Sequence, residues 1–259
     1  MNKKLRKVTT YLLMGIVLSG IIFTGTSQTV QADTTETPSY QSVEQEKTTS
    51  TKKEKNSNEK KLKLAEDYYK TKSKSKSGAI ALRDYGETNT VSFKPVAQQK
   101  GYYCGPATAY SVTNGAASQD TFANELGTNK SNQTPFPGTW TATLNKYRPG
   151  NNYTVARASS YSDWRDKLKR CIIFTIDNGY PIAADCHITT DSDTWLSSGY
   201  DYAQSTYHYV TVGGYDDNED TVPAEVLIGD SNTHAGISRR YWTTLDKLTA
   251  ATEDFGIIW

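Results

Sequence analysis

The feature that most limits how this chain can fold is a change of hydrophobic period at Gly179. Before it, apolar residues recur at helical spacing. "SDWRDKLKRCIIFTIDNG" puts Trp164, Leu168, Cys171, Ile172, Thr175 and Ile176 on one face, with Ser162 as the predicted cap and Gly179 as the stop. "QDTFANEL" pairs Phe122 with Leu126 between a capping Ser118 and Gly127, and "GTWTATLNKY" pairs Trp140 with Leu144. Residues 106–113 make a short apolar turn of helix that Asn114-Gly115 ends. After Gly179, "PIAADCH", "YHYVTVGGY" and "AEVLIGD" alternate as strands, with the turn-rich "DDNEDTVP" between the last two and "GIIW" as a fourth. Helices first and antiparallel strands second specify an α+β domain, with the 162–178 helix over one sheet face.

The ends of the chain read differently. Residues 1–32 join a basic start to an apolar run from Tyr11 to Phe23 and the small-residue site Val30-Gln31-Ala32, which predicts a signal peptide cut after Ala32. Gly15, Ser19 and Gly20 interrupt that run, which falls short of the ~18–20 residues of a membrane span. The expected product is secreted or cell-wall associated, with no span after cleavage. Residues 33–83 are rich in Thr, Ser, Lys and Glu and hold too few apolar groups to offset ordering entropy. They predict a disordered linker with at most a short helix near Leu62 to Tyr69, leaving 84–259 as one folded domain.

Charge separates the same regions. Residues 52–76 carry ten lysines against four acids, whereas residues 78–259 carry fourteen Lys and Arg against twenty Asp and Glu. The net charge of +1 therefore hides a basic segment beside an acidic domain. An acidic domain excludes nucleic acid as a partner, and the lysines suit a cell wall or another anionic surface. Neither Cys-x-x-Cys nor His-x-x-x-His spacing occurs, so no metal is expected, nor any cofactor, and the domain is expected to be a monomer.

"QQKGYYCGPATAYSV" contains the cysteine with the most informative context. A nucleophilic cysteine must be a thiolate, and two devices favour that anion: the N–H groups of a helix N-terminus and an imidazole that keeps the proton. Gly105-Pro106 after Cys104 suits a helix start, because proline is tolerated in the first turn. Of His187, His208 and His234, His208 has the best-placed partner. A hairpin centred near Glu219 sets residues whose numbers sum to about 438 opposite one another, which makes His208 and Asp230 cross-strand neighbours on the helix-covered face. Such an imidazole is held in the tautomer a base needs. Gln98, six residues before Cys104, can fold its amide back beside the Cys104 N–H to stabilise an oxyanion, with Gln99 as the competing residue. His187 ends its strand with no acid expected to orient it, and His234 reads as a rim residue. Cys171 and Cys186 read either as buried thiols or as a disulfide. Trp195, Tyr200, Tyr202 and Tyr207 crowd the approach to His208 as loop core or as a substrate rim, with Trp195 and Tyr202 as the candidate substrate contacts.

Gln98, Cys104-Gly105-Pro106-Ala107, the "HYVTVGGYD" strand from His208, and Asp230 together resemble the papain-like cysteine peptidases of the bacteriocin-leader (double-glycine) type. More narrowly, they resemble the stand-alone secreted branch, C39-like, over about 95–259. The resemblance implies a papain-like fold, a peptide or protein substrate, Cys104 as nucleophile, His208 as general base and acid, Asp230 as orienter and Gln98 in the oxyanion hole. The stretch from His187 to Tyr207 is longer than the family pattern, so substrate preference does not carry over. Cleavage after Gly-Gly is not implied for a chain without the fused transporter. Two other readings use the same residues: a surface-tethered binding module without turnover, and a thiol acyltransferase or amidase acting on cell-wall peptides.

Overall fold

A computed structural model describes residue 49 and residues 51–77, 87–217 and 224–259. The expected signal peptide lies outside them. Seven strands make one antiparallel sheet: β1 (Thr88–Thr90), β2 (Val155–Arg157), β3 (Ile182–Thr189), β4 (Ser205–Asp216), β5 (Glu225–Gly229), β6 (Arg240–Thr244) and β7 (Gly256–Ile258). Their order is β2-β7-β3-β4-β5-β6, with β1 added on β4. The helices are α1 (Lys52–Ser77), α2 (Cys104–Val112), α3 (Gln119–Leu126), α4 (Trp140–Tyr147), α5 (Trp164–Asp177) and α6 (Leu245–Thr252).

The alternation that marks the strands also divides the core. Ile182, Ala184 and Cys186 of β3 and Val210 and Val212 of β4 meet Leu168 and Ile172 of α5 and Leu248 of α6 in the larger cluster. Ala183, Tyr209 and Ile258 point the other way and meet Phe122, Trp140 and Leu144 of α3 and α4. Both faces are therefore covered. Leu168, fully buried at the centre of the α5 face, is the single residue whose truncation to alanine should hurt this layer most, by about 2–5 kcal/mol.

Local signals set several boundaries. Ser118 caps α3 by accepting the Thr121 N–H at 3.1 Å, and Gly127 ends it in the left-handed region at φ 70°. Helix α5 has Asp163 at its N-cap rather than Ser162, with no side-chain capping bond. Helix α2 begins at Cys104, two residues earlier than expected. Strands β2 and β6, at opposite edges of the sheet, and helix α6 were not legible, because each is short and gains its burial only from packing in the folded domain.

The largest correction concerns residues 52–77, which form α1 instead of part of a disordered linker. Asn58, Lys61, Leu62, Ala65 and Tyr69 lie three or four apart and face the domain, while most of the lysines face water. Much of the docking is polar, which is why composition missed it. Asn58 accepts the Trp259 indole N–H at 2.9 Å and donates to the Tyr161 hydroxyl at 2.6 Å. Lys72 donates to Asp177 at 2.6 Å and to the Tyr215 hydroxyl at 2.7 Å, and Lys167 reaches Glu66 at 2.5 Å. Packing of this kind supplies what an isolated helix lacks. The packed domain thus begins near residue 52 rather than 84.

Candidate active site

Cys104 is the first residue of α2, and no side chain caps that helix. In its first turn the N–H groups of Cys104 and Gly105 have no helix carbonyl behind them, whereas Pro106 has no N–H and Ala107 donates to the Tyr103 carbonyl at 2.9 Å. Gly105 is required here for a steric reason: a Cβ would overlap the Thr134 side chain, which closes over the helix start. Thr108, one turn on, donates to the Tyr209 carbonyl at 3.0 Å and pins α2 to β4.

The hairpin register differs from expectation by two residues. Thr211 faces Gly229 and Val212 faces Ile228, so the sum is 440, and the register slips once more at Gly213. Because 440 is also even, His208 and Asp230 keep the same face but meet diagonally, within reach of long side chains. The His208 Nε2 lies 2.8 Å from Asp230 Oδ1, and both side chains are buried. The even face is covered by α5, whereas Cys104 clusters with Tyr209 and Ala183 on the opposite side. Strand β5 pairs with β4 only from Thr211 onward. The Cys104 thiol nevertheless lies close enough to His208 to influence it.

The bulge has a visible cause. A Cβ at Gly213 or at Gly229 would overlap the Phe93 ring, so these glycines let Phe93 seat across β4 and β5. Residues after Phe93 then run along α2 to Gln98, whose N–H donates to the Ser231 carbonyl at 3.0 Å. The Gln98 Oε1 accepts the Ser231 hydroxyl at 3.1 Å, while its Nε2 donates to the carbonyls of Lys100 and Gly101 at 3.1 and 2.8 Å. Gln98 therefore stands next to Asp230 in the chain fold. Gln99 is exposed, with its N–H bonded to Gln119.

Asp230 is held by four donors. Its Oδ1 accepts from His208 and, at 2.8 Å, from the Asn232 N–H; its Oδ2 accepts the hydroxyls of Tyr200 and Tyr241, each at 2.7 Å. Burial alone would push this carboxyl up, but the His208 charge and these hydrogen bonds hold it below the ordinary carboxylate value. Burial and the neighbouring Asp230 push both phenols well above their ordinary value, so they remain donors. For His208, burial disfavours the cation, yet the Asp230 charge and hydrogen bond, together with a hydrogen bond to the Cys104 thiol, raise its pKa to about 10. Sequence reasoning missed the role of Tyr200, grouped with the loop aromatics, and missed Tyr241 entirely; nothing local marks tyrosines that bond a residue thirty and eleven positions away.

The remaining candidates sort by position. Trp195 packs against the larger cluster and donates its indole N–H to the Thr189 carbonyl at 2.8 Å. Tyr202 stacks on His234 at 3.8 Å, and its hydroxyl accepts from Asn232 at 2.8 Å, two residues from Asp230. His187 does have an acidic partner, contrary to expectation: Asp254, from the turn between α6 and β7, lies 2.5 Å from its Nδ1. Cys171 and Cys186 are buried free thiols, and burial pushes both up. Among the described residues, no group of three or more His, Cys, Asp or Glu side chains is arranged to hold a metal ion. No described helix is long and apolar enough to cross a membrane.

A cysteine at a helix N-terminus, facing an imidazole that a carboxylate holds from the neighbouring strand, sets this α+β fold in the papain-like class. The chain belongs to the Peptidase C39 like family, whose model matches residues 90–255 and takes in Gln98, Cys104, His208 and Asp230. Membership of that family supports a peptidase, and hence a hydrolase, in general terms. No curated protein matches the chain.

Proposed function

We propose that this protein is a cysteine peptidase acting outside the cell, which hydrolyses peptide bonds through Cys104, His208 and Asp230. The observation that carries the reading is the buried His208–Asp230 pair at 2.8 Å, with the Cys104 thiol at the start of α2 close enough to add to the His208 shift. An imidazolium held by a buried carboxylate is the counter-ion a thiolate needs. The thiolate attacks the scissile carbonyl, and the displaced electron pair on oxygen meets the Cys104 N–H at the open helix end. Gln98 is the second proposed donor, which requires exchanging one of its bonds to the 100–101 carbonyls for one to the oxyanion. His208 gives its proton to the leaving amine. Water then gives a proton back to His208 while its oxygen attacks the thioester, releasing the acid and restoring the thiolate.

Trp195 and Tyr202 belong in this proposal as contacts on the substrate side of the loop before His208. The signal-peptide reading of residues 1–32 supplies secretion, and the outward lysines of α1 are the proposed contact with an anionic wall. Iodoacetamide at about pH 6 should label Cys104 faster than it labels free cysteine, whose thiolate is scarce there. A proteome digest should release peptides that Cys104→Ala does not. Identical peptides from that variant would end the peptidase reading.

A further inference from the structure

Helix α1 and the domain enclose a cleft of ≈ 380 Å³ away from the Cys104 region, within the range of about 300–1,000 Å³ typical of small-molecule sites. Its α1 side is Ser57, Lys60, Lys61 and Leu64, one helix face at i, i+3, i+4 and i+7, of which Ser57, Lys60 and Leu64 form the exposed rim. The opposite wall carries three amides, Asn151, Asn152 and Asn178, and two rings, Phe174 and Tyr180. No carboxylate lines it among the described residues.

Lys61 makes that omission informative. Its ammonium is buried, at 8 % exposure, and donates to the Asn151 carbonyl at 2.9 Å, the Asn151 Oδ1 at 3.1 Å and the Asn152 carbonyl at 3.5 Å. The rings of Trp259 and Tyr153 flank it at 4.9 and 5.7 Å. All of these partners are neutral. Buried charges are ordinarily paired with the opposite charge, and burial without a pair holds this amine at about 7, far below its ordinary value. Lys60, exposed on the next position, adds a second cation to the same wall. The neighbouring cations of the domain do find carboxylates, as Lys72 does at Asp177 and Lys167 at Glu66.

We propose that this cleft is a binding site for a saccharide bearing a carboxylate or a phosphate, with the anion beside the exposed Lys60 and in the field of the uncompensated Lys61 charge. The amides offer both donors and acceptors to sugar hydroxyls, and the two ring faces suit the apolar side of a pyranose. The site stands independently of the peptidase reading, because none of its residues touches Cys104, His208 or Asp230.

Titrations of the full chain with glucuronic acid, glucose 6-phosphate and glucose, followed by calorimetry and by amide shifts, test it. At least one acidic sugar should bind about tenfold or more tightly than glucose, a difference that charge pairing at a partly buried site readily supplies. Which of the two does so separates a carboxylate ligand from a phosphate one. Shifts should centre on Lys61, Asn151 and Tyr180. The double variant Ser57→Glu, Lys60→Glu adds a negative charge at one exposed rim position and reverses the charge at another without touching the core, and should abolish the preference while leaving cleavage of a soluble peptide unchanged. Equal binding of glucose, no binding of any of the three, or a preference that survives in the double variant would overturn the proposal.

Discussion

His208–Asp230 and His187–Asp254 are both imidazole–carboxylate pairs on the β3–β4 ribbon, at 2.8 and 2.5 Å. The shorter pair is the more exposed: its side chains keep 20 % and 47 % of their accessible surface, against 5 % and 0 % for the other. The His187 Nε2 even meets the Ser205 hydroxyl at 2.8 Å, the order of groups a serine nucleophile would need. What it lacks is the surroundings. Ser205 opens a β-strand rather than a helix, so no fan of free N–H groups faces it, and Asp254 bonds only His187 among the described residues. Asp230, by contrast, is fixed by four donors in a space without water-exposed surface. Distance alone does not make a site; burial and a saturated carboxylate do.

The sharpest way to break this comparison is to remove the thiol or its base. Cys104→Ala and His208→Ala should each lower kcat/KM by about 10⁴-fold or more, because nucleophile and base act as a unit. A peptidase that survives either change would place the chemistry elsewhere, with the His187 pair the first region to test. Asp230→Asn comes next. The loss of charge weakens the imidazolium, and the new NH₂ must face either His208 and the Asn232 N–H or two tyrosine hydroxyls. Turnover should fall by about 10²–10⁴-fold, with a stability cost of about 1–3 kcal/mol. Asp230→Asn at near-wild-type rate would show that the carboxylate charge contributes little.

Tyr200→Phe and Tyr241→Phe probe the donors that distinguish Asp230 from Asp254. Each should destabilise the domain by about 1–2 kcal/mol and slow turnover by roughly tenfold or less, with a displaced pH profile. A stability loss with no change in the profile would assign the hydroxyls to packing alone.

Stability against pH sharpens the contrast between His208 and Lys61, the cation without a carboxylate. The His208 value is raised from 6.5 to about 10, so its contribution is complete below 6.5 and is lost as pH rises through 10. The Lys61 value is lowered from 10.5 to about 7, so between these limits the unfolded chain binds more protons there and stability rises with pH. The two slopes oppose each other in the same window. Melting temperatures from pH 7 to 10 should therefore climb in His208→Ala and fall in Lys61→Met, with the wild type between them. Slopes of the same sign in both variants would refute one of the two assignments. The smallest effect belongs to the exposed pair: His187→Ala should leave activity within about twofold and stability within about 1 kcal/mol.

Much of the site was open to sequence reasoning because its logic is local. A helix start at Cys104 follows from Gly105-Pro106, the strand period puts His208 and Asp230 on one face, and the Ser118 and Gly127 ends of α3 follow from backbone chemistry within a few residues. These hold whatever the rest of the chain does. The two-residue change of register depended on Phe93 seating over Gly213 and Gly229. The donors on Asp230 come from a loop and from β6, and the partners that dock α1, Trp259, Tyr161 and Asp177, lie about a hundred residues or more away. Each of these is a contact whose energy exists only after the sheet has formed, so no window of sequence contains both halves of it. The sequence by itself determined which groups could do the chemistry; tertiary packing decided how they meet and that a lysine-rich segment belongs to the fold.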